Sequence, residues 1–367
     1  MPMRSRRSPS GTSEIGVLIT GVGTLSTGHQ VYKALQLGRR RYRITVANTQ
    51  EHDLLVANGA ARALLPPAEH PDYICALAGA ANDSNVGFII PGSDRELLRI
   101  ARDCDELERL TAAIPLVNNA ATIRTCTDRK ATAEALAQAG FRTPTTTDCH
   151  DAREAVQAAR QNGLRYPIVV KPRNGGGGSA NVFVAQDDAE LLFFTDYVIR
   201  DGNPAALQEY VGHAKCEYTV GVTSFPDGTI AGSFAIRRDL TGMLATRLRV
   251  ANRVDRPELG DMLAISSGFT QGCADDFPEV RAMAERIAAA VGSTGPLNVQ
   301  GRLVGSDFLA FEINPRFSGT TAMRAMAGWN APEALIDWHL GVEPAMRSYH
   351  PRRVRFVRGL VEYADFR

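Results

Sequence analysis

The chain has 367 residues, 41 of them Lys or Arg and 40 Asp or Glu, for a formal net charge of +1. That balance argues against a nucleic-acid role, which ordinarily carries a basic patch, and no apolar stretch is long enough to span a membrane. With 44% apolar and 22% charged residues, it reads as a soluble globular protein large enough for two or three domains with their own cores. Six cysteines without a C-x-x-C pair suit reduced thiols in a cytoplasmic protein, and seven histidines show no zinc-like spacing.

Residues 1–14 form a Ser/Pro-rich tail carrying Arg4, Arg6 and Arg7 and are expected to be disordered. No apolar run follows them, so they do not read as a signal peptide. Ile15 to Gly28 reads as strand, glycine turn and helix start, close to a dinucleotide fingerprint. Its last glycine, Gly28, falls two residues later than the standard pattern after Gly21 and Gly23. Asn48 ends the second strand where an acidic ribose-binding residue would stand. A nicotinamide-dependent oxidoreductase therefore stays only as a distant alternative. Phe88–Ile90 is a further strand, ending in the polar turn Pro91 to Glu96. That turn suits either a ligand crevice at the carboxyl end of a parallel strand or a helix cap by Ser93 or Asp94. Residues 15–122 alternate strand and helix signals, as an open parallel sheet does.

Residues 123–206 begin with a helix opened by Asp128 and ended at Gly140, with a second helix around Asp151 to Asn162. The apolar run Pro167 to Pro172 reads as a buried strand that delivers one lysine, Lys171. Gly175, Gly176, Gly177, Gly178 and Ser179 follow. Glycines let backbone N–H groups approach a phosphate closely, although the spacing is not that of a Walker A loop. Asn181 to Val184 looks like a returning strand, so the segment is also a flexible hairpin; a hairpin and a phosphate lid are compatible.

Residues 207–367 look like an antiparallel sheet with helices. They include an alanine-rich helix from Pro278 to Val291 and a last apolar run, Val354 to Val361, as an added strand. In Phe311-Glu312-Ile313-Asn314-Pro315-Arg316, strand alternation puts Glu312 and Asn314 on one face and Phe311 and Ile313 into a core. A carboxylate and an amide oxygen side by side suit magnesium, which prefers oxygen ligands plus substrate phosphates. Arg316, just beyond, can meet a phosphate or carboxylate. Taken alone, the same pattern is what a strand ending in a polar turn gives.

Thr127 to Lys130, Pro167 to Pro172, the glycine loop, Gln208 to Val211, Glu217 to Val220, Asn298 to Gln300 and Glu312 to Gly319 carry a resemblance. In this order the chain resembles the ATP-grasp enzymes, and among them those similar to the large subunit of carbamoyl phosphate synthetase. The resemblance implies α/β and α+β architecture: a Rossmann-like pre-ATP-grasp domain (15–122), an ATP-grasp small subdomain with a glycine lid (123–206) and a C-terminal subdomain with a metal site (207–367). It implies that Arg129, Lys171, Gly176, Gly177, Gly178 and Ser179 serve the nucleotide phosphates. Gln208, Glu209, Tyr210 and Val211 would line the adenine, and Glu217 would take the ribose hydroxyls. Gln300, Glu312 and Asn314 would face magnesium (or manganese), and Arg316 would stabilise the transferred phosphoryl group, with Lys171 and Asn314 also catalytic. Many family members have Glu where this chain has Gln300; the carbamoyl phosphate synthetase-like ones share Gln, and a strand residue facing solvent is the alternative. One ATP-grasp unit and no internal repeat make the duplicated synthetase itself a poor match.

The expected activity is an ATP-dependent carboxylate–amine ligase acting on small molecules through an acyl phosphate. Carboxyphosphate or carbamoyl phosphate chemistry, and a non-catalytic nucleotide-binding protein, stay open. For the acceptor carboxylate the strand arginines Arg237, Arg238, Arg247 and Arg249 and the later Arg324 are candidates, with solvated strand faces as the plain alternative. No nucleic-acid or membrane partner is expected, and a homodimer is compatible with the chain.

Overall fold

The computed structural model describes residues 14–175, 179–344, 346 and 353–364. Gly176, Gly177, Gly178 and the N-terminal tail apart from Glu14 lie outside the described residues.

The first sheet holds β1 (Ile15–Ile19), β2 (Tyr42–Asn48), β3 (Ala61–Leu64), β4 (Phe88–Ile90) and β5 (Ile114–Pro115), ordered β3-β2-β1-β4-β5 and all parallel. Helices α1 (Thr27–Gln36), α2 (Tyr73–Asp83), α3 (Asp94–Arg102) and α4 (Cys104–Leu110) connect them. The central strand β1 has no polar side chain, and Val17, Leu18 and Ile19 are completely buried, as a strand covered on both faces requires. Two helices start at its carboxyl edge. Ser26 caps α1 by accepting from the His29 amide, and Ser93 caps α3 by accepting from the Glu96 amide. The turns before them touch: a Cβ on Gly92 would stand 2.1 Å from the Thr20 carbonyl oxygen.

Helices α5 (Ala120–Thr127) and α6 (Arg129–Gln138) lead to a second, antiparallel sheet. Asp128 caps α6, accepting from the Lys130 and Ala131 amides, and Gly140 leaves it at φ +81°. The sheet comprises β6 (Thr146–Cys149), β7 (Ile168–Pro172), β8 (Phe183–Ala185) and β9 (Ala205–Glu209), ordered β6-β9-β7-β8. It is backed by α7 (Ala155–Gln161) and α8 (Asp188–Ile199). The helix expected over Asp151 to Asn162 is a 3-10 turn at Ala152–Glu154 followed by α7.

The rest contributes β10 (Glu217–Ser224), β11 (Ile230–Arg238), β12 (Thr246–Ala251), β13 (Met262–Ser266), β14 (Gly272–Ala274), β15 (Pro296–Val304), β16 (Asp307–Asn314) and β17 (Val354–Phe356), with α9 (Pro278–Ala290), α10 (Thr321–Met326) and α11 (Ala331–His339). The large sheet runs β16-β15-β10-β11-β14-β17, and β12–β13 is a separate hairpin. The last strand stops at Phe356 rather than Val361; Val357 and Val361 are exposed. Helix α9 packs its Val280, Ala284 and Ile287 on one face of this sheet. The other face meets the second sheet across a cleft.

The first sheet is fused to the last region. Phe317, Leu335 and Ile336 share one core cluster with Val17, Ile19 and Val46. Glu333 accepts from the Arg39 amide at 2.7 Å, and Asp337 pairs with Arg40. The segment after Asn314 is thereby pressed against the carboxyl edge of β4.

Close contact between the two turns of the first sheet sets one expectation. Gly92→Ala should destabilise the protein by about 1–3 kcal/mol, the usual cost of overpacking. Gly79→Ala, inside α2 with open space around its Cβ, should stabilise it by about 0.5–1 kcal/mol. Urea denaturation of both variants checks this; equal effects would show that the turns yield freely.

Candidate active site

Strand β7 is apolar apart from Lys171, which is 5% exposed and faces the cleft. Its Nζ donates to Gln208 Oε1 at 2.8 Å and to the Phe311 carbonyl at 3.2 Å. Gln208 is fixed in turn by donating to Thr146 Oγ1 at 2.9 Å. Burial, reinforced by the neighbouring Arg129, pulls the Lys171 pKa down to about 7, against the opposing pull of Glu312.

Phe311 explains that contact. Opposite Gln300 stands Glu312, and opposite Gly301 stands Ala310, so Phe311 is the extra residue of a β-bulge. A bulge leaves a residue unpaired and re-aims it. The expectation that Phe311 and Ile313 both point into the core is therefore corrected. Ile313 does, at 3% exposure, but Phe311 borders the cleft and offers its free carbonyl to Lys171.

Glu312 and Asn314 share a face, with Asn314 Nδ2 donating to Glu312 Oε1 at 3.3 Å. Gln300 lies across from Glu312 and is half-buried; its Oε1 accepts from Arg238 Nη1 at 3.1 Å. It is not turned to solvent. Among the described residues no cluster of three His, Cys, Asp or Glu side chains could hold a metal by itself. One carboxylate with two amide oxygens is instead a donor set for a hard cation that brings its other ligands with it.

Arg316 is held by a carboxylate from the first sheet. Its Nε donates to Asp94 Oδ1 at 2.7 Å, and its Nη2 to Asn314 Oδ1 at 3.3 Å. Burial alone would raise the Asp94 pKa, but the Arg316 guanidinium holds it below the ordinary carboxylate value. Ser93, not Asp94, caps α3, which leaves the Asp94 side chain for this pair. Arg129 donates from Nη1 to the Pro172 carbonyl at 2.6 Å, and burial lowers its pKa despite Glu312, Asp94 and Asp128 nearby.

Glu217 is 1% exposed and bound by Arg302, whose Nη2 lies 2.9 Å from its Oε2, with Arg238 at 3.6 Å from Oε1. Arg302 also stacks 4.4 Å from the Tyr210 ring centroid and donates to the Val211 and Gly212 carbonyls. Neither this arginine nor the Asp94 contact was assigned a role from sequence. The only signal was its register opposite Glu217, which needs the strand pairing to be known.

Two connected spaces result. A narrow slot of about 60 Å³ is lined by Arg129, Lys171, Tyr210, Val211, Glu217 and Phe311, among others, and Gln208 and Glu209 also border it. A wide cleft of about 810 Å³ includes Ser26, Asp94, Arg238, Gln300, Asn314 and Arg316 in its walls. Ser179 and Glu312 border both. Arg129 Nε, Glu217 Oε1 and Arg238 Nε are buried here without hydrogen-bond partners, as expected of a site built for a polar ligand. Arg324 is buried and bonds Ser318 and Asn298 of the cleft wall; burial pulls its pKa down to about 9. Arg237 and Arg249 are exposed and line a different cavity, and Arg247 is exposed on β12.

An ATP-grasp domain model matches residues 126–216, and one described as ATP-grasp in the biosynthetic pathway with Ter operon matches residues 266–359. The chain has the ATP-grasp fold, and its sequence is distantly similar to carbamoyl phosphate synthase large chains. The carbamoyl phosphate synthase large chain of Pseudomonas syringae pv. tomato is 24% identical over 64% of this chain and only 20% of its own length. The chain thus spans about a fifth of such relatives. An L-amino acid ligase from Bacillus licheniformis superposes with a TM-score of 0.62 at 15% identity, covering 95% of this chain and 78% of that one. The biotin carboxylase domain of 2-oxoglutarate carboxylase from Hydrogenobacter thermophilus, solved with ADP, its magnesium salt and bicarbonate, gives 0.62 at 15% identity, covering 89% and 70%.

The buried lysine sets a pH dependence. With its folded pKa near 7 and an unfolded value near 10.5, Lys171 binds fewer protons in the folded state between those values. Stability therefore rises with pH across that window. Lys171→Met should remove that rise from the ligand-free protein, measured as the difference between parent and variant in urea midpoint from pH 7 to 10. Parallel pH curves would show that Lys171 stays charged.

Proposed function

We propose that the chain is an ADP-forming ligase that joins a carboxylate to an amine or related nucleophile on small molecules through an acyl phosphate. The observation that carries this reading is the meeting of Lys171, Arg129 and Arg316 with Glu312 and Asn314 where the slot opens into the wide cleft. ATP would place its base beside Tyr210 and Val211, its ribose at Glu217 and its phosphates at Lys171 and Arg129. The resemblance assigns Gly176, Gly177, Gly178 and Ser179 to the same phosphates. The slot is narrow, so Arg302 would give way as the base is admitted. Magnesium, or manganese in its place, fits Glu312 with the Asn314 and Gln300 oxygens; when bound it would neutralise phosphate charge.

The γ-phosphoryl group then passes to a carboxylate oxygen of the acceptor as ADP leaves. The nucleophile's nitrogen attacks the acyl carbon, and phosphate departs with the former carboxylate oxygen. Such transfers depend on positioning and charge stabilisation, which the buried arginines supply. Exclusion of water protects the acyl phosphate from hydrolysis. Arg238, which lines the wide cleft, is the arginine best placed for the acceptor carboxylate, with Arg324 bracing the wall behind it. A second reading, carboxyphosphate formation from bicarbonate, is supported by the carbamoyl phosphate synthase relatives. We place the protein in the cytoplasm, which its six unpaired cysteines suit. Among the described residues no helix is long and apolar enough to cross a membrane.

A phosphate-release screen with paired acids and amines, and with bicarbonate alone, tests the reading. Turnover with bicarbonate alone favours the second, and turnover with no substrate set removes both. With the active pair, Arg316→Ala should lower kcat on the order of a thousandfold, with a smaller rise in the KM for ATP. Arg316→Lys should recover little, because a point charge lacks the planar fork. Near-normal kcat with a lower melting temperature would leave Arg316 as no more than the partner of Asp94.

A further inference from the structure

The wide cleft is walled by hydroxyls, amides, charged groups and glycines, with one exception. Among the described residues, Leu25 is the only large aliphatic side chain that lines it; Pro172 and Ala180 are its other apolar neighbours. Leu25 sits on the turn between β1 and α1 and is 44% exposed. Its backbone is strained. Ser26 N donates to the Gly23 carbonyl at 3.1 Å and closes a four-residue turn, in which Leu25 is third and has φ +61°. Thr24 is not at positive φ, so the turn is of type II, whose third position takes glycine or asparagine. A Cβ in this conformation crowds the following carbonyl oxygen.

The bonds that hold the turn need no side chain at this position. Gly23 N donates to Ser26 Oγ at 2.9 Å, His29 N to the same oxygen at 3.1 Å, and Asn48 Nδ2 to the Val22 carbonyl at 2.8 Å. Glycine at position 25 would keep all three and relieve the strain. Strain that the fold does not require collects where ligands are held. In the ligase reading, on which the present one rests, this cleft takes the acceptor, with its carboxylate at Arg238. A group laid against Leu25 gains by leaving water only if it is apolar. A polar one would lose hydrogen bonds to water that Leu25 cannot replace. We propose that Leu25 is a specificity-determining residue, and that the acceptor is a carboxylic acid with an apolar side chain that covers it.

Calorimetry of the full chain, loaded with magnesium and a non-hydrolysable ATP analogue, measures the affinities of L-leucine, L-asparagine and glycine. L-asparagine has nearly the shape of L-leucine but is polar. L-leucine should bind about tenfold more tightly than either, the gain that a partly buried aliphatic side chain gives. Leu25→Asn and Leu25→Gly both suit the left-handed backbone and should fold with a urea midpoint no lower than the parent's. Each should bring the leucine-to-glycine affinity ratio close to one, while Leu25→Met should keep most of it. Equal affinities in the parent, no binding of any of the three, or a ratio that survives both variants overturns the proposal. A urea midpoint that falls in both variants also overturns it, because Leu25 would then serve the fold. None of these readouts needs ATP hydrolysis. A preference for L-leucine without phosphate release from any substrate set would sink the ligase reading alone, and turnover with only small or polar acids would sink this one alone.

Discussion

The structure is organised around the withdrawal of five cationic side chains from water into one cleft. Lys171, Arg129, Arg238, Arg302 and Arg316 come from four different regions of the chain, and Glu217, Glu312 and Asp94 are the carboxylates set among them. A buried charge is tolerated only when paired and hydrogen-bonded. Arg302 and Arg316 each have a close carboxylate. Lys171 has only an amide and a carbonyl, and its lowered pKa records the shortfall. The cleft therefore holds more buried positive charge than its own carboxylates balance. A polyphosphate with its cation is the kind of ligand that restores the balance.

Each region supplies what the others cannot. The second sheet gives Lys171 and Gln208 from adjacent strands. The large sheet gives Glu217, Gln300 and Glu312 across β10, β15 and β16. The first sheet contributes Asp94, and it can do so only because Phe317 is packed into its core one residue beyond Arg316. The fused core thus aims the arginine that follows β16. Loosening that interface would act on Arg316 before it acted on anything else in the cleft.

Much of this was legible from local pattern. An apolar β-branched run interrupted by one lysine had to be a buried strand that aims the lysine at something, and period-two alternation put Glu312 beside Asn314. The parallel first sheet followed from its alternating strand and helix signals. What was not legible depended on partners distant in sequence. Phe311 left the core because β16 carries one residue more than β15 at that point, and a bulge is a property of two strands. Arg237 and Arg238 are adjacent on one strand, so only one could enter the cleft, and nothing in their types says which. Asp94 could have been a cap until Ser93 took that role. Arg302 looked like any strand arginine until β15 was laid against β10.

Arg302 also determines the shape of the narrow slot. Its guanidinium binds Glu217 Oε2, covers the Tyr210 ring and occupies the Val211 and Gly212 carbonyls together. These are the groups that a base and ribose would need in the proposed reaction. A buried ion pair of this kind contributes little net stability, because desolvation offsets much of its attraction. Exchanging it for ribose hydroxyls and a stacked base therefore costs less than the number of its contacts implies. The pair satisfies one oxygen of a buried carboxylate without making the slot hard to open, and Arg238, 3.6 Å from the other oxygen, would remain beside Glu217 if Arg302 were displaced.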